Sequence, residues 1–158
     1  MKNNMQKDVK RAPESLYDEF RNYFPFSTVD LLVISEDKFL LSKRLNQPYK
    51  NMWHLPGGMV RKGEKMIDTV KRIGIEELGS TPKIIKFFGT HESMSKFRHD
   101  ISTCYVVSID MKKIELENNK NLKFFTNLPK NIIPFQKLIV KNWMKEFKQK
   151  TYISKIKK

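Results

Sequence analysis

Two adjacent carboxylates, Glu76 and Glu77, stand near the end of a predicted helix that follows a Gly-Gly pair, Gly57 and Gly58. Negative charge at a helix C-terminus opposes the helix dipole, so the pair carries an electrostatic cost. Plain surface charge is the simpler interpretation of such a pair. Mg²⁺, however, takes oxygen ligands, keeps waters and binds substrate phosphates, so two carboxylates and one carbonyl from a glycine turn could hold it.

The segment LPGGMVRKGEKMIDTVKRIGIEELGS, residues 55–80, extends this pattern. It resembles the Nudix box: Gly, five residues, Glu, seven residues, Arg-Glu, an aliphatic residue, any residue, Glu-Glu, any residue, Gly, aliphatic. Six positions match at the required spacing: Gly58, Glu64, Arg72, Glu76, Glu77 and Gly79. The predicted loop and helix agree with that context. The chain is identified as a member of the Nudix family, which implies an α+β fold, the Nudix α/β/α sandwich with a mixed sheet.

The resemblance implies a role for each matched residue. Glu76 and Glu77 would bind Mg²⁺, with Mn²⁺ as an alternative, together with the carbonyl of Gly57. Arg72 would orient the acidic cluster, and Glu64 would pair with Arg72 to join loop and helix. The remaining matched residues, Gly58 and Gly79, would be structural. Asp68, one turn before Arg72, could support it through an i,i+4 pair.

Two positions depart from the pattern. Ile73 stands where a glutamate should follow Arg72, and Gly74 replaces the aliphatic residue after it. Ile73 lies on the same helical face as Glu76 and Glu77, so a metal ligand or general base is missing from the usual set. Gly74 costs about 1 kcal/mol inside a helix, so we expect another group to pack closely against it.

These departures resemble one subgroup. The stretch LLSKRLNQPYKNMWHLPGG is similar to the corresponding part of GDP-mannose mannosyl hydrolases, whose Nudix helix also lacks that glutamate, and FFGTHES and DISTCYVV resemble that group's strands. The resemblance implies hydrolysis at the sugar carbon with release of GDP. It also implies that Arg44 contacts the diphosphate, Glu77 the metal, and Asp30 and Tyr105 the nucleotide-sugar pocket.

The match to this subgroup fails elsewhere. Met59 replaces an arginine, and Asn118-Asn119 replaces a metal-binding glutamine and a catalytic histidine. Asparagine is not a useful proton acceptor, so a base must come from another position. The candidates are His91, Glu92 and His99, in or beside the predicted loop GTHESMSKFRHD. A solvated loop position is the simpler interpretation of each.

Three functions therefore stay open. The favoured one is Mg²⁺-dependent hydrolysis of a nucleotide sugar or related nucleoside diphosphate derivative. The second keeps attack on phosphorus, with Glu92 or Glu115 replacing the missing glutamate. The third is a Nudix-fold module that binds nucleotide or RNA without turnover, which the net charge of +14 favours. The retained Glu64, Arg72, Glu76 and Glu77 argue against a mere binder of anions.

The flanking elements must position these residues. Pro13 begins a predicted helix with Leu16, Phe20 and Phe24 on one face, which Pro25 ends. The remaining predictions are strands over 28–35 and 38–44, a polar loop over 45–52, a Gly-Gly turn, a helix over about 65–78 closed by Gly79, and strands over 82–90, 101–110 and 121–127. A last helix over about 134–148 carries a core-facing stripe formed by Phe135, Leu138, Ile139, Trp143 and Phe147.

Composition bounds the remaining properties. A chain of 158 residues with 39% hydrophobic residues fits one domain, 1–158, with an N-terminal helical extension at 1–26 and a basic tail at 151–158. Apolar runs are too short to span a membrane. Cys104, the single cysteine, lies in an apolar stretch and is predicted to be a core residue. We expect a cytoplasmic protein whose partner is a nucleotide sugar or nucleoside diphosphate; nucleic acid is not favoured, and a homodimer is allowed.

Overall fold

The computed structural model describes residues 12–114 and 119–156. Its strands are β1 (Phe26–Ser35), β2 (Lys38–Lys43), β3 (Trp53–His54), β4 (Gly57–Met59), β5 (Lys83–Met94), β6 (His99–Ser108) and β7 (Leu122–Phe125). Its α-helices are α1 (Glu14–Phe20), α2 (Met66–Leu78) and α3 (Pro134–Ile156), and a 3₁₀ turn covers Met111–Lys113. No helix among these combines the length and the apolar character needed to cross a membrane.

The sheet is mixed and has β1 near its centre. Its main order is β3-β2-β1-β6-β5, while β4 pairs with β1 and β7 pairs with β2. β1 and β6 are parallel, with Asp30 opposite Cys104, and the other pairs are antiparallel. β1 is buried along most of its length because apolar residues point to both of its faces.

One helix covers each face of the sheet. On one face, α2 packs Val70, Ile73 and Leu78 against Val29 and Leu31 of β1. On the other, α3 packs Ile139, Val140 and Trp143, in the same core cluster as Leu32 and Cys104. The alternation of side chains along β1 therefore separates two cores. The predicted α/β/α sandwich with a mixed sheet is confirmed, as is the core position of Cys104, which is fully buried.

Several predicted element boundaries need correction. Gly57 and Gly58 lie in β4 rather than in a turn, because they pair with β1. β5 continues to Met94, so much of the predicted loop after Gly89 is strand. α3 continues to Ile156, so Lys155 belongs to the helix and not to a tail beyond it. Lys157 and Lys158 lie outside the described residues.

The buried face of α3 and the end of α1 differ from the predicted ones. In α3, Leu138 is 60% exposed, while Gln136 and Val140 are buried, so the packed face is rotated from the predicted one. α1 ends at Phe20, before the predicted stop, and buries none of its residues. Its main anchor is Tyr17, whose ring stacks on Phe26 at 4.9 Å between centroids.

Gly74 and Gly79 shape the C-terminal part of α2. Gly79 ends the helix in the left-handed region at φ 66°, as predicted. A Cβ on Gly74 would overlap the ring of Pro82 and lie 2.7 Å from the carbonyl oxygen of Ser80. The expectation of close packing at Gly74 is confirmed, and the glycine lets the chain fold back tightly after the helix.

Gly74→Ala tests this packing. At an exposed helical site the exchange would stabilise the fold by about 1 kcal/mol. Here we expect a net loss of about 1–3 kcal/mol, because both neighbours must move. Urea unfolding measures the difference. Ile75→Ala, at a neighbouring position with 57% exposure, is the control and should change little. A Gly74→Ala protein as stable as the parent would contradict the packing argument.

Candidate active site

A bidentate ion pair between Arg72 and Glu64 joins the loop after β4 to α2. Arg72 donates from Nε to Glu64 Oε1 at 2.7 Å and from Nη2 to Glu64 Oε2 at 3.0 Å. The same Nη2 donates to the Met59 carbonyl at 2.8 Å. Thr69 Oγ1 and the Arg61 amide also donate to Glu64, at 2.8 and 3.1 Å. The structure therefore contains the predicted Glu64–Arg72 pair, and Glu64 is almost fully satisfied.

Glu76 is held by two arginines. Its Oε2 accepts from Arg72 Nη1 at 3.0 Å, and its Oε1 accepts from Arg61 Nη2 at 3.1 Å. Nearly half of the side chain is exposed. The suggested pair between Asp68 and Arg72 is wrong, since Asp68 lies 3.6 Å from Lys71 instead. Arg72 thus contacts both Glu64 and Glu76, and its role in orienting the acidic cluster stays a prediction.

Glu77 lies in a different environment from its neighbour. Burial raises the pKa of its carboxyl to about 7, and the negative charges of Asp30 and Glu76 add to the effect. The backbone amide of Gly57 and the charge of Arg72 act in the opposite direction. Glu77 is therefore a carboxyl group whose negative charge is poorly compensated by the protein. A bound cation would supply the missing compensation.

Strand register explains how Gly57 reaches Glu77. The Leu31 amide donates to the Pro56 carbonyl at 2.8 Å, which makes the adjacent pair, Asp30 and Gly57, a non-hydrogen-bonded one. The amide and carbonyl of Gly57 therefore point away from β1, and the amide meets Glu77. A Cβ at this position would lie 2.5 Å from Asp30 Oδ1, so no side chain fits here.

Ile73 does not face this site. Its side chain is 1% exposed and belongs to the core between α2 and the sheet. A Cβ on Gly58 would lie 3.7 Å from Ile73 Cγ1, an ordinary packing distance. The position that lacks its glutamate has become part of the hydrophobic core.

A cavity opens beside Gly57 on the α3 face of the sheet. It is open to solvent, and Asp30, Arg44 and Gly57 are among its lining residues. Asp30 is buried, and it accepts from Ser102 Oγ at 2.6 Å and from Gln136 Nε2 at 3.0 Å. Burial raises the pKa of Asp30 to about 6, against the effect of these bonds. The structure thus brings together Asp30, Arg44 and Gly57, as the sequence suggested.

Arg44 presents part of its guanidinium to the cavity. Its Nε donates to the Pro48 carbonyl in the loop between β2 and β3. Burial lowers the pKa of Arg44, and the nearby charge of Arg98 lowers it further. A guanidinium can engage carboxylate or phosphate oxygens in a bidentate way, so Arg44 is a candidate contact for an anionic ligand.

Arg98 and Asp100 also line this cavity, and sequence reasoning missed both. Arg98 Nε donates to Asp100 Oδ2 at 2.8 Å, and Arg98 Nη1 donates to the Tyr17 hydroxyl at 2.8 Å. Burial lowers the pKa of Arg98, but the charge and hydrogen bond of Asp100 outweigh it, so the pKa is raised. β6 begins at His99, inside the predicted loop over 89–100, so the direction of Asp100 follows from a strand that the sequence pattern did not indicate.

The candidate bases lie apart from the residues that line the cavity. His91 and Glu92 are in β5 and His99 is in β6, so their placement in or beside a loop is wrong. His99 Nε2 lies 2.7 Å from Glu92 Oε1 in an exposed pair. His91 Nε2 is buried without a hydrogen-bond partner among the described residues, and burial lowers the pKa of His91.

Tyr105 is not brought together with Asp30. On β6 it alternates with Cys104, which places its side chain on the α2 face of the sheet. There it packs against the α2-side core and meets the Phe87 ring edge-on at 6.0 Å. Of the other sequence candidates, Glu115 and Asn118 lie outside the described residues. Asn119 accepts from the Asn121 amide in a local turn.

Comparison with known proteins agrees with this geometry. The family model described as the NUDIX domain matches residues 25–151. The low-salt glycan biosynthesis protein Agl8 of Haloferax volcanii is 29% identical over 133 residues, which cover 78% of this chain and 85% of the relative. An ADP-ribose pyrophosphatase of Methanocaldococcus jannaschii is 32% identical over 133 residues, which cover 80% and 78%.

A solved structure gives the same fold. The crystal structure of a NUDIX hydrolase from Nitrosomonas europaea superposes with a TM-score of 0.65 at 22% identity. The superposition covers 77% of this chain and 71% of that one. At this level of identity the likeness concerns the architecture of the sheet and its helices.

Glu64→Gln tests the ion pair that holds the loop to α2. Burial raises the pKa of Glu64, but its hydrogen bonds from Arg72, Arg61 and Thr69 lower it more, to about 2 from the usual 4.5. The stabilisation is therefore complete above pH 4.5 and is lost as the pH falls toward 2. We expect the variant to lose about 2–4 kcal/mol at pH 7.

Urea unfolding at pH 7, 4.5 and 3 measures this difference. The gap between parent and variant should narrow at pH 3, since the parent then begins to lose the same interaction. Glu92→Gln, which alters an exposed pair, is the control and should stay within about 0.5 kcal/mol of the parent. A gap that does not depend on pH would contradict the assignment.

Proposed function

Because the chain belongs to the Nudix hydrolase family, we propose that it hydrolyses a nucleotide sugar, a nucleoside diphosphate linked to a sugar, with Mg²⁺ as cofactor. One observation carries the proposal: Glu77, a poorly compensated carboxyl, meets Gly57 at the edge of a cavity lined by Arg44. The relatives support the substrate class, since one is named for ADP-ribose and the other for glycan biosynthesis.

The donor atoms fit a hard divalent cation. Glu77 supplies a carboxylate, and the Gly57 carbonyl is directed away from the β1 ladder, so both are oxygen ligands of the kind Mg²⁺ and Mn²⁺ accept. Glu76 would join them once it is released from Arg61. When bound, the ion would neutralise charge on the diphosphate and make it a better leaving group. The protein's own contribution is to hold these oxygens in place through Arg72 and Glu64.

Arg44 would bind the diphosphate. Its Nε is engaged by the Pro48 carbonyl, which fixes the guanidinium and leaves its two terminal nitrogens for phosphate oxygens. Lysine could not reproduce both contacts, since it has a single charged nitrogen. The negative charge of the substrate would also relieve the repulsion between Arg44 and Arg98.

We place cleavage at the sugar carbon, as in GDP-mannose mannosyl hydrolases. Ile73 removes one metal ligand, and the smaller donor set suffices to stabilise a leaving diphosphate. Water oxygen would bond to the sugar carbon while the carbon–oxygen bond to the diphosphate breaks. Asp30 would take the water proton, since it lines the cavity and has a pKa of about 6. His91 and Glu92 are not among the lining residues.

Attack on phosphorus is the second candidate. The relative named ADP-ribose pyrophosphatase favours it, since that name describes cleavage within the diphosphate. The two reactions give different products from the same substrate. Cleavage at carbon gives a nucleoside diphosphate and free sugar, whereas cleavage at phosphorus gives a nucleoside monophosphate and a sugar phosphate.

Product analysis tests the choice between the two reactions. We expect the protein, incubated with Mg²⁺ and GDP-mannose in H₂¹⁸O, to release GDP and mannose with the label in mannose. ADP-ribose should be assayed in parallel. Release of nucleoside monophosphate with the label in a phosphate group would establish attack on phosphorus instead.

Glu77→Gln tests the metal site. The amide keeps the size of the side chain but removes its charge, so we expect turnover to fall by about a hundredfold or more. The fold should persist, because ionised Glu77 is buried at an electrostatic cost. Glu92→Gln is the matched control, since its carboxylate is exposed on β5. Equal turnover by Glu77→Gln and the parent, with Mg²⁺ varied, would show that the metal lies elsewhere.

A further inference from the structure

Asp100 has only one of its two carboxylate oxygens hydrogen-bonded to a described residue. The residue is 5% exposed and lines the cavity beside Gly57. Oδ2 accepts from Arg98, but Oδ1 is buried and has no hydrogen-bond partner among the described residues. A buried acceptor without a donor costs about 1–3 kcal/mol, so such atoms call for an explanation.

Two guanidinium groups, those of Arg44 and Arg98, line the same cavity as Asp100. Arg98 uses Nε for Asp100 and Nη1 for Tyr17, and Arg44 uses Nε for Pro48, so each guanidinium keeps at least one terminal nitrogen that has no hydrogen bond to a described residue. Among the described residues, the lining of the cavity therefore includes a carboxylate oxygen without a donor and two guanidinium groups with unbonded N–H groups. A hydroxyl group is the complement, because it can donate to Asp100 and accept from an arginine.

We infer that Asp100 Oδ1 accepts a hydrogen bond from a sugar hydroxyl of the substrate, and that Tyr17 of α1 positions Arg98 for the same sugar. This inference rests on the proposed function for its ligand class. The cavity begins at Gly57, next to Glu77, and both sugars of a nucleotide sugar are joined directly to the diphosphate. The base lies one sugar farther away. A base also presents its polar atoms along one edge, whereas the donors here, Arg44 and Arg98, come from two separate connecting segments.

Tyr17 connects this site to the segment before the family-matched region. It lies in α1, outside residues 25–151, and its ring stacks on Phe26 while its hydroxyl accepts from Arg98. Arg98 also lies over the Phe26 ring, at 5.4 Å. Tyr17 therefore holds Arg98 from a helix that lies outside the family-matched region, which makes Tyr17 a positioning residue.

Asp100→Asn tests the free acceptor with little change in volume. The amide oxygen must face Arg98, which leaves an NH₂ group where the acceptor was. We expect binding of sugar-bearing probes to weaken by about tenfold or more. The probes are GDP-mannose, ADP-ribose and UDP-glucose, measured by calorimetry in EDTA and again with Mg²⁺. Thermal unfolding of each variant establishes that it is folded.

The arms of the experiment distinguish the two sugars. If the terminal sugar contacts Asp100, binding of GDP should be equal in parent and variant while binding of GDP-mannose falls. If the ribose contacts it, binding of GDP should fall too, and 2′- or 3′-deoxy-GDP should bind parent and variant alike. Either result supports the inference. Equal binding of every probe by parent and variant, or no binding of any probe by the parent, would overturn it.

Tyr17→Phe tests the positioning role. We expect KM for the hydrolysed probe, and Kd for the others, to rise severalfold with kcat unchanged. Tyr23→Phe is the matched control, since Tyr23 follows α1 and is 74% exposed. An unchanged KM and Kd in Tyr17→Phe would overturn the positioning role.

Hydrolysis is scored separately from binding. Sugar binding that depends on Asp100, without hydrolysis of any probe, would overturn the proposed function and leave this inference standing. If the parent and Asp100→Asn hydrolyse the probes with the same kcat and KM, the proposed function stands and this inference is overturned.

Discussion

The bidentate ion pair between Arg72 and Glu64 is the interaction on which the candidate site depends. It closes the loop between β4 and α2, and its remaining donors reach the Met59 carbonyl and Glu76. Both partners are largely buried, so neither can be lost without leaving a charge in a poorly hydrated place. The position of α2 against the sheet, and with it the distance from Glu77 to Gly57, follows from this contact together with the packing of the core.

Glycine at position 57 is the second constraint. Its register on β1 directs its amide and carbonyl toward Glu77, while the opposite side lies against Asp30. The same residue thus separates the acidic edge of α2 from the cavity on the α3 face. A side chain here would push β4 from β1 and separate the two halves of the site. This explains in steric terms why the chain carries glycine at the junction.

The fold was predictable where the hydrophobic pattern was strong. The apolar runs of β1 and β6 and the helix ended by Gly79 were found from sequence, and Gly74 was expected to be packed. Prediction failed where the pattern is weak. The second half of β5 is mostly polar, and its residues alternate between exposed and half-buried, so the sequence predicted a loop at Glu92 and Ser93. β4 contains two glycines, which favoured a turn although pairing with β1 makes it a strand.

The site was predictable in part for a related reason. Motif spacing brought Glu64, Arg72 and Glu77 together because they share a loop and one helix. Asp100 and Arg98 could not be assigned in this way, since their position depends on pairing between β5 and β6. Tyr105 was assigned to the pocket from resemblance, but side-chain alternation turns it to the other face of the sheet. The direction of a strand residue depends on register, which a sequence fixes less sharply than helical spacing.

The residues proposed for metal binding and those proposed for sugar binding come from different parts of the chain. The oxygens proposed to bind a metal and the ion pair beside them lie in one continuous segment, so a motif detects them. The groups that would contact a sugar come from β6, the turn before it and the loop after β2, which meet only in the folded chain. Membership of the family therefore says little about which sugar is bound. Within the part of the chain that the structure describes, Asp100 Oδ1 has no hydrogen-bond partner, and its side chain pairs with an arginine that Tyr17 of α1 contacts; our inference on substrate preference rests on this feature.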